Sequence, residues 1–128
     1  MADVSPDLKE RVTAEPLTAH LATCRDGRPH VAPVWYLYDD GVVRIVTTGR
    51  KLADIRANPF VSLSIEKTTR GLPEWTATLR GTATVVEDRD AFERVNERIN
   101  RKYGVTDDAW EENTLVRIDV GSASHRVY

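Results

Sequence analysis

The chain is poor in the residues that metal centres and covalent staples need. It has one cysteine, Cys24, in 128 residues, so no internal disulfide can form. Its three histidines, at positions 20, 30 and 125, are too scattered to give the Cys/His spacing of a zinc site. Nowhere do roughly 18 apolar residues run together, which excludes a helical membrane span. The opening MADVSPDLKER has no apolar centre of the kind a signal peptide carries, and a cytoplasmic location is expected. A surplus of one charge is lacking too: 18 Lys plus Arg stand against 20 Asp plus Glu, a net charge of -2. That balance argues against nucleic acid or an anionic membrane surface as a partner. No repeat, low-complexity tract or Pro/Gly/Ser-rich linker divides the chain, so residues 1–128 are read as one domain. A domain this small seldom encloses a large active site alone, which makes a bound cofactor or a partner chain an early expectation.

Element signals follow the hydrophobic period. Ser5 as N-cap, Pro6 at the first helical position, and Leu8 and Val12 on one face predict a short helix. The alternation Leu17, Ala19, Leu21 predicts a strand ending at Asp26-Gly27, a hairpin signal. A second strand is read from about Pro29 to Tyr38, and Asp39-Asp40-Gly41 turns it into a third over 42–47, a meander. Residues 50–57 read as a two-turn helix halted by Asn58-Pro59, and 60–66 as a strand followed by a polar loop over 67–73. Residues 74–87 form the longest strand-like stretch, with a bulge or bend expected at Gly81. The stripe Phe92, Val95, Ile99, Tyr103 predicts an amphipathic helix over 88–103 with Gly104 as its C-cap. The chain closes with a strand over 114–120 and a short one over 125–128. Six or seven strands and three helices point to a mainly β fold, a small antiparallel barrel with helices on its flank.

Two segments carry candidate chemistry. Val46-Thr-Thr-Gly-Arg-Lys-Leu-Ala-Asp-Ile sets hydroxyls, a permissive glycine and two cations where a strand meets a helix N-terminus. Unpaired N–H groups, a partial positive charge, the Arg50 guanidinium and the Lys51 ammonium together suit a phosphate. An ordinary Thr-Thr-Gly turn before a surface helix would carry the same residues, so both readings stand. Gly27-Arg-Pro-His-Val-Ala-Pro-Val-Trp-Tyr holds Pro29 and Pro33, each of which removes a ladder donor, so this strand is expected to be interrupted or at an edge. Trp35 and Tyr36 point to opposite faces, one toward the core and the other toward a groove. The isolated histidines, the Asp39-Asp40 and Asp107-Asp108 pairs and Cys24 read as turn, surface or strand residues.

In their order along the chain, Leu21-Ala-Thr-Cys-Arg-Asp-Gly-Arg-Pro-His-Val-Ala-Pro-Val-Trp-Tyr, Thr47-Thr-Gly-Arg-Lys-Leu-Ala-Asp-Ile-Arg-Ala-Asn-Pro-Phe-Val-Ser-Leu and Arg80-Gly-Thr-Ala resemble the pyridoxamine 5'-phosphate oxidase-like family. The resemblance covers most of residues 17–103. It implies a split β-barrel, FMN-binding-like and homodimeric, with FMN, or alternatively the deazaflavin coenzyme F-420, in the groove between subunits. It implies a cofactor phosphate at Thr47, Thr48, Arg50 and Lys51, and a ring along His30, Val31, Ala32, Pro33, Val34 and Trp35, with Trp75 as a further neighbour. The implied activity is hydride transfer between the cofactor and a small organic substrate. A non-catalytic flavin or haem carrier on the same fold is the alternative. The short Thr48-Gly49 link and the ending Ser124-His-Arg-Val-Tyr depart from true pyridoxamine phosphate oxidases, and argue against that substrate.

Overall fold

A computed structural model describes residues 4–128. In chain order these form α1 (Pro6–Thr13), β1 (Ala19–Arg25), β2 (Arg28–Val34), β3 (Leu37–Asp39), β4 (Val42–Thr47), α2 (Gly49–Ala57), β5 (Phe60–Thr69), β6 (Leu72–Val86), α3 (Arg89–Tyr103) and β7 (Thr114–Val127). About 50% of residues are in strands and 26% in helices. All strand pairs are antiparallel, in the order β2-β1-β5-β6-β7-β4-β3. The two edges, β2 and β3, do not pair with each other, yet Val34 of β2 and Tyr38 of β3 belong to one buried cluster with Leu21, Ile45, Leu63, Leu79 and Ile118. The sheet is therefore rolled around a common core and left open along one seam, a split barrel.

Local chemistry accounts for the helices. The Ser5 hydroxyl accepts from the Leu8 N–H at 3.2 Å, and Leu8 and Val12 plug one end of the barrel. α3 starts at Asp88, whose carboxylate accepts from the N–H groups of Asp90 and Ala91, and stops at Gly104, left-handed at φ 75°. Its stripe of Phe92, Val95 and Ile99 does not enter the barrel. It packs with Leu37 and Leu115 in a second cluster on the outer side of β3, β4 and β7. This is why both Leu115 and Val116 are buried although they face opposite ways. No helix among the described residues is long and apolar enough to cross a membrane.

Three sequence expectations need correction. The strand read from 29 to 38 is two strands: the chain leaves the sheet at Trp35-Tyr36, and β3 pairs with β4 at the opposite edge from β2. The expected meander is thus two hairpins at the two ends of the sheet. Residues 67–73 are not a loop, because β5 and β6 continue to an Arg70-Gly71 turn with φ of 56° and 80°, which two-residue hairpins favour. Finally, β7 is one strand from Thr114 to Val127, not two. The register against β7 shifts between Arg80 and Gly81, as an irregularity at Gly81 would require, but the extra residue is Gly121 of β7: Arg80 faces Ser122 and Gly81 faces Val120. A Cβ at Gly81 would overlap the Asp119 carbonyl oxygen and lie 2.9 Å from Ile118 Cγ2.

Candidate functional site

The end of β2, the end of β4 and the start of α2 converge on a cleft of about 440 Å³. Pro33, Val34 and Trp35 form one wall; Val46, Thr47, Thr48 and Lys51 form another. These two groups come from the two segments singled out in the sequence. They meet because the sheet brings the edge hairpin β1–β2 round toward β4. The volume falls within the roughly 300–1,000 Å³ of small-molecule sites.

The anionic end of a ligand would find its partners at the start of α2. Thr48 caps the helix in an extended conformation (φ -153°, ψ -174°), and its side chain makes no capping hydrogen bond. Gly49 follows at φ 69°, a left-handed geometry that favours glycine. The first turn contains no acidic residue. The first-turn N–H groups have no partner within the helix, no capping oxygen neutralises them, and the half-buried Lys51 adds a full positive charge.

The apolar part is an aromatic platform. Trp35 stacks on Tyr103 with ring centroids 4.6 Å apart and planes 7° apart, while Trp110 meets Trp35 edge-on at 5.9 Å. Tyr36, the next residue, is fully buried and donates its hydroxyl proton to the Val12 carbonyl at 2.6 Å. The expected division of the two aromatics between groove and core is what the backbone produces. Tyr103 is fixed at both ends of its hydroxyl: it donates to the Leu17 carbonyl at 2.6 Å and accepts from the Tyr36 N–H at 3.2 Å. Burial pushes its phenol up to about 12. Lys102 donates to the Tyr36 carbonyl at 2.8 Å with its ammonium 3.9 Å from the Tyr36 ring centroid, and burial pulls its amine down to about 8.

The far wall, Ile99, Trp110, Glu112 and Asn113, was not anticipated from the sequence. Trp110 lies in the turn-rich segment between α3 and β7, in a left-handed conformation at φ 64°. Buried Asn96 and Asn100 of α3 hold this segment by donating to the Ala109 carbonyl at 2.8 and 2.9 Å. Two asparagines at i and i+4 beside the apolar stripe were the available signal.

Other predicted residues lie elsewhere. Arg50 points away from the cleft, into a depression lined with Arg25, Asp26 and Arg28. His30, Val31 and Ala32 continue β2 beyond the cleft walls, and Val31 is 64% exposed on the outer face. Pro29, Val31 and Pro33 share one parity on the edge strand. Because neither proline can donate, bonding to β1 falls to the alternate residues and this set faces the open edge. Trp75 is 4% exposed within the barrel core and borders a different depression, with Glu15 and Lys67.

Comparison with known proteins yields a family and a set of folds. The pyridoxamine 5'-phosphate oxidase family matches residues 5–124. An F-420 reductase structure is 28% identical, with a TM-score of 0.74 over 90% of this chain and 94% of that one. A FAD-binding protein from Mesorhizobium loti is 24% identical (TM-score 0.76; 95% and 92% covered), and the haem storage protein HutZ from Vibrio cholerae 21% identical (0.77; 98% and 95%). These last two establish likeness of fold alone. No curated protein matches the chain in sequence.

Proposed function

Since the chain belongs to the pyridoxamine 5'-phosphate oxidase family, we propose that the cleft holds a flavin-type cofactor, FMN or the deazaflavin F-420, and that the protein is an oxidoreductase acting on a small organic substrate. The observation that carries this reading is the convergence of Pro33, Val34 and Trp35 with Thr47, Thr48 and Lys51 around one cleft. The residues present suit such a group. An aromatic wall accepts a planar ring, and hydroxyls, an ammonium and unpaired N–H groups accept a phosphate. When bound, the cofactor supplies the hydride exchange. The chain's own work is positioning: Lys51 and the helix start hold the anionic end, while Trp35, locked by Tyr103 and Trp110, orients the ring and excludes water. The F-420 reductase among the similar structures adds support for the deazaflavin alternative.

A second copy of the chain is proposed to complete the site. The outer face of β2, β1, β5, β6 and β7 presents rows of mostly small residues, such as Pro33, His20, Ser64, Thr78 and Ser124, beside exposed Val31 and Phe60. Small side chains let a second sheet approach closely, and the two exposed apolar groups favour its burial. Sedimentation equilibrium of the apo-protein tests this, and a monomer at micromolar concentration would contradict it.

Titration of the apo-protein with FMN and with F-420 tests the cleft. Lys51→Ala should weaken binding about 10- to 100-fold, the value of one hydrogen bond to a charged group; unchanged curves would refute the assignment. Anaerobic mixing with candidate reductants then separates an enzyme, whose visible band bleaches, from a carrier of flavin or haem, whose band persists.

A further inference from the structure

One face of α3 borders a depression that shares no lining residue with the cleft, and a buried asparagine lies at its centre. Asn96 is 3% exposed. Its Nδ2 donates to the Ala109 carbonyl at 2.8 Å, while its Oδ1 has no hydrogen-bond partner. A buried acceptor in that state costs free energy unless a donor reaches it. Asn96 lines a space of about 230 Å³ between α3 and the segment leading to β7; with the amide nitrogen turned to Ala109, the oxygen is left for that space. The rest of the lining is mostly acidic. Glu93 pairs with Arg89 at 3.2 Å, and Glu97 and Asp107 share Arg101. Asp108 and Glu111 line the same space, are exposed, and have no ion-pair partner among the described residues. Two unpaired negative charges and a buried oxygen acceptor thus face one depression.

Such a lining calls for a cation that carries N–H donors. A bare metal ion suits it poorly, because among the described residues no three His, Cys, Asp or Glu side chains come together to hold one. An ammonium or guanidinium supplies both the positive charge and the donors. The rim accommodates one such group from the chain itself: the Arg89 guanidinium stands 4.7 Å from the Phe92 ring centroid and donates to the Glu111 carbonyl at 3.3 Å. Two unpaired carboxylates favour a ligand with two positive charges over one. We propose that this depression is a binding site for a small organic dication of the polyamine or guanidino-amine class, with one nitrogen donating to Asn96 Oδ1 and the charges met by Asp108 and Glu111. Its position has a consequence for the cleft. Ala109 and Glu111, bonded to Asn96 and Arg89, flank Trp110, whose ring forms part of the cleft wall. Occupancy fixes the backbone that carries Trp110, and the site stands whatever the cleft binds.

Isothermal titration calorimetry with spermidine and with agmatine at physiological salt tests the assignment on the wild type, on Asp108→Asn combined with Glu111→Gln, on Asn96→Ala and on Asn100→Ala. The wild type should bind at least one of the two with a Kd of about 1 mM or below, and the preferred one shows whether the donor is an ammonium or a guanidinium. Neutralising Asp108 and Glu111, both exposed, should weaken binding about tenfold or more at an unchanged melting temperature. Asn96→Ala should weaken it about tenfold through loss of the acceptor. Asn100→Ala breaks the other bond to Ala109 from outside the depression, so it should lower the melting temperature and keep affinity within about threefold. Magnesium chloride in equal concentration should not displace the amine, and amide exchange over residues 107–111 should slow when the amine is bound. Absence of binding by both amines, binding that survives in the Asp108→Asn, Glu111→Gln chain, or displacement by magnesium overturns the site. Equal losses of affinity in Asn96→Ala and Asn100→Ala overturn the role of the Asn96 oxygen, and unchanged exchange over 107–111 overturns the tie to the cleft wall.

Discussion

Replacing Tyr103 by phenylalanine tests whether one hydroxyl ties the cleft to the fold. The oxygen joins three segments that are far apart in sequence: α3, the Leu17 carbonyl before β1 and the Tyr36 N–H after β2. Tyr103→Phe keeps the ring that stacks on Trp35 and removes both bonds. It strands a buried donor and a half-buried acceptor, each costing about 1–3 kcal/mol when left unsatisfied. Water can reach the Leu17 carbonyl more readily than the Tyr36 N–H, so the total should lie near 2–4 kcal/mol. For 128 residues the unfolding entropy is about 0.27 kcal/mol per kelvin, and the melting temperature should fall by about 7–15 °C. Differential scanning calorimetry at neutral pH measures this. Cofactor affinity, read in parallel at 15 °C, should change less than threefold because the stacked ring remains. A loss under 2 °C would show that the hydroxyl does not bridge these segments. A large loss of affinity with unchanged stability would show that Tyr103 acts on the ligand directly.

Three further outcomes are expected. Gly81→Ala places a Cβ against the Asp119 carbonyl and Ile118, both fixed in β7, and should lower stability by about 2–3 kcal/mol; a urea midpoint that falls at constant slope checks this. Lys102 is depressed to about 8 in the folded chain against 10.5 when unfolded, so between those values the unfolded state binds more protons and stability rises with pH. Relative to Lys102→Met, the wild type should gain about 1 kcal/mol from pH 8 to pH 10, after allowing for screening of its partly exposed side chain, and parallel urea titrations would detect a flat difference. Trp110→Ala removes a cleft wall and one edge-on contact from a residue 45% exposed. It should cost no more than about 1.5 kcal/mol of stability yet weaken cofactor binding, and unaltered titration curves would place the ring elsewhere.

The parts of this fold that were legible in the sequence are those governed by local rules. Ser5, Pro6, Asp88 and Gly104 mark helix ends through hydrogen bonds and φ preferences that need no tertiary partner. Gly81 marked the break in pairing, whose extra residue is Gly121 of the facing strand, and the division of Trp35 and Tyr36 between groove and core arises at the point where the chain leaves β2. What local rules could not supply was partner choice. Leu37, Tyr38 and Asp39 have the same β character as residues 28–34, and only the packing of Tyr36 into the core and its tie to Tyr103 sends them to the other edge. Likewise, the 67–73 stretch is polar because it lies at an exposed hairpin end, and polarity alone reads as loop.

The candidate site shows the same limit at the scale of single side chains. Arg50 and Lys51 are adjacent, and in the sequence they form one basic pair suited to one phosphate. Successive residues on a helix are turned about 100° from each other, so the two side chains cannot share a direction without a bend in the backbone. The deciding residue is Asp54, four positions after Arg50 and on its face of α2, where an opposite charge attracts it. That spacing was visible in the sequence, but Asp54 could equally have paired with solvent. It acts as an anchor because α2 packs over β1, where the Thr23 hydroxyl and Arg25 meet the same carboxylate. The pair is thereby divided: Lys51 lines the cleft and Arg50 lines the depression at the hairpin end. A net charge of -2 therefore coexists with basic side chains placed in two separate depressions, and their distribution is more informative than their total.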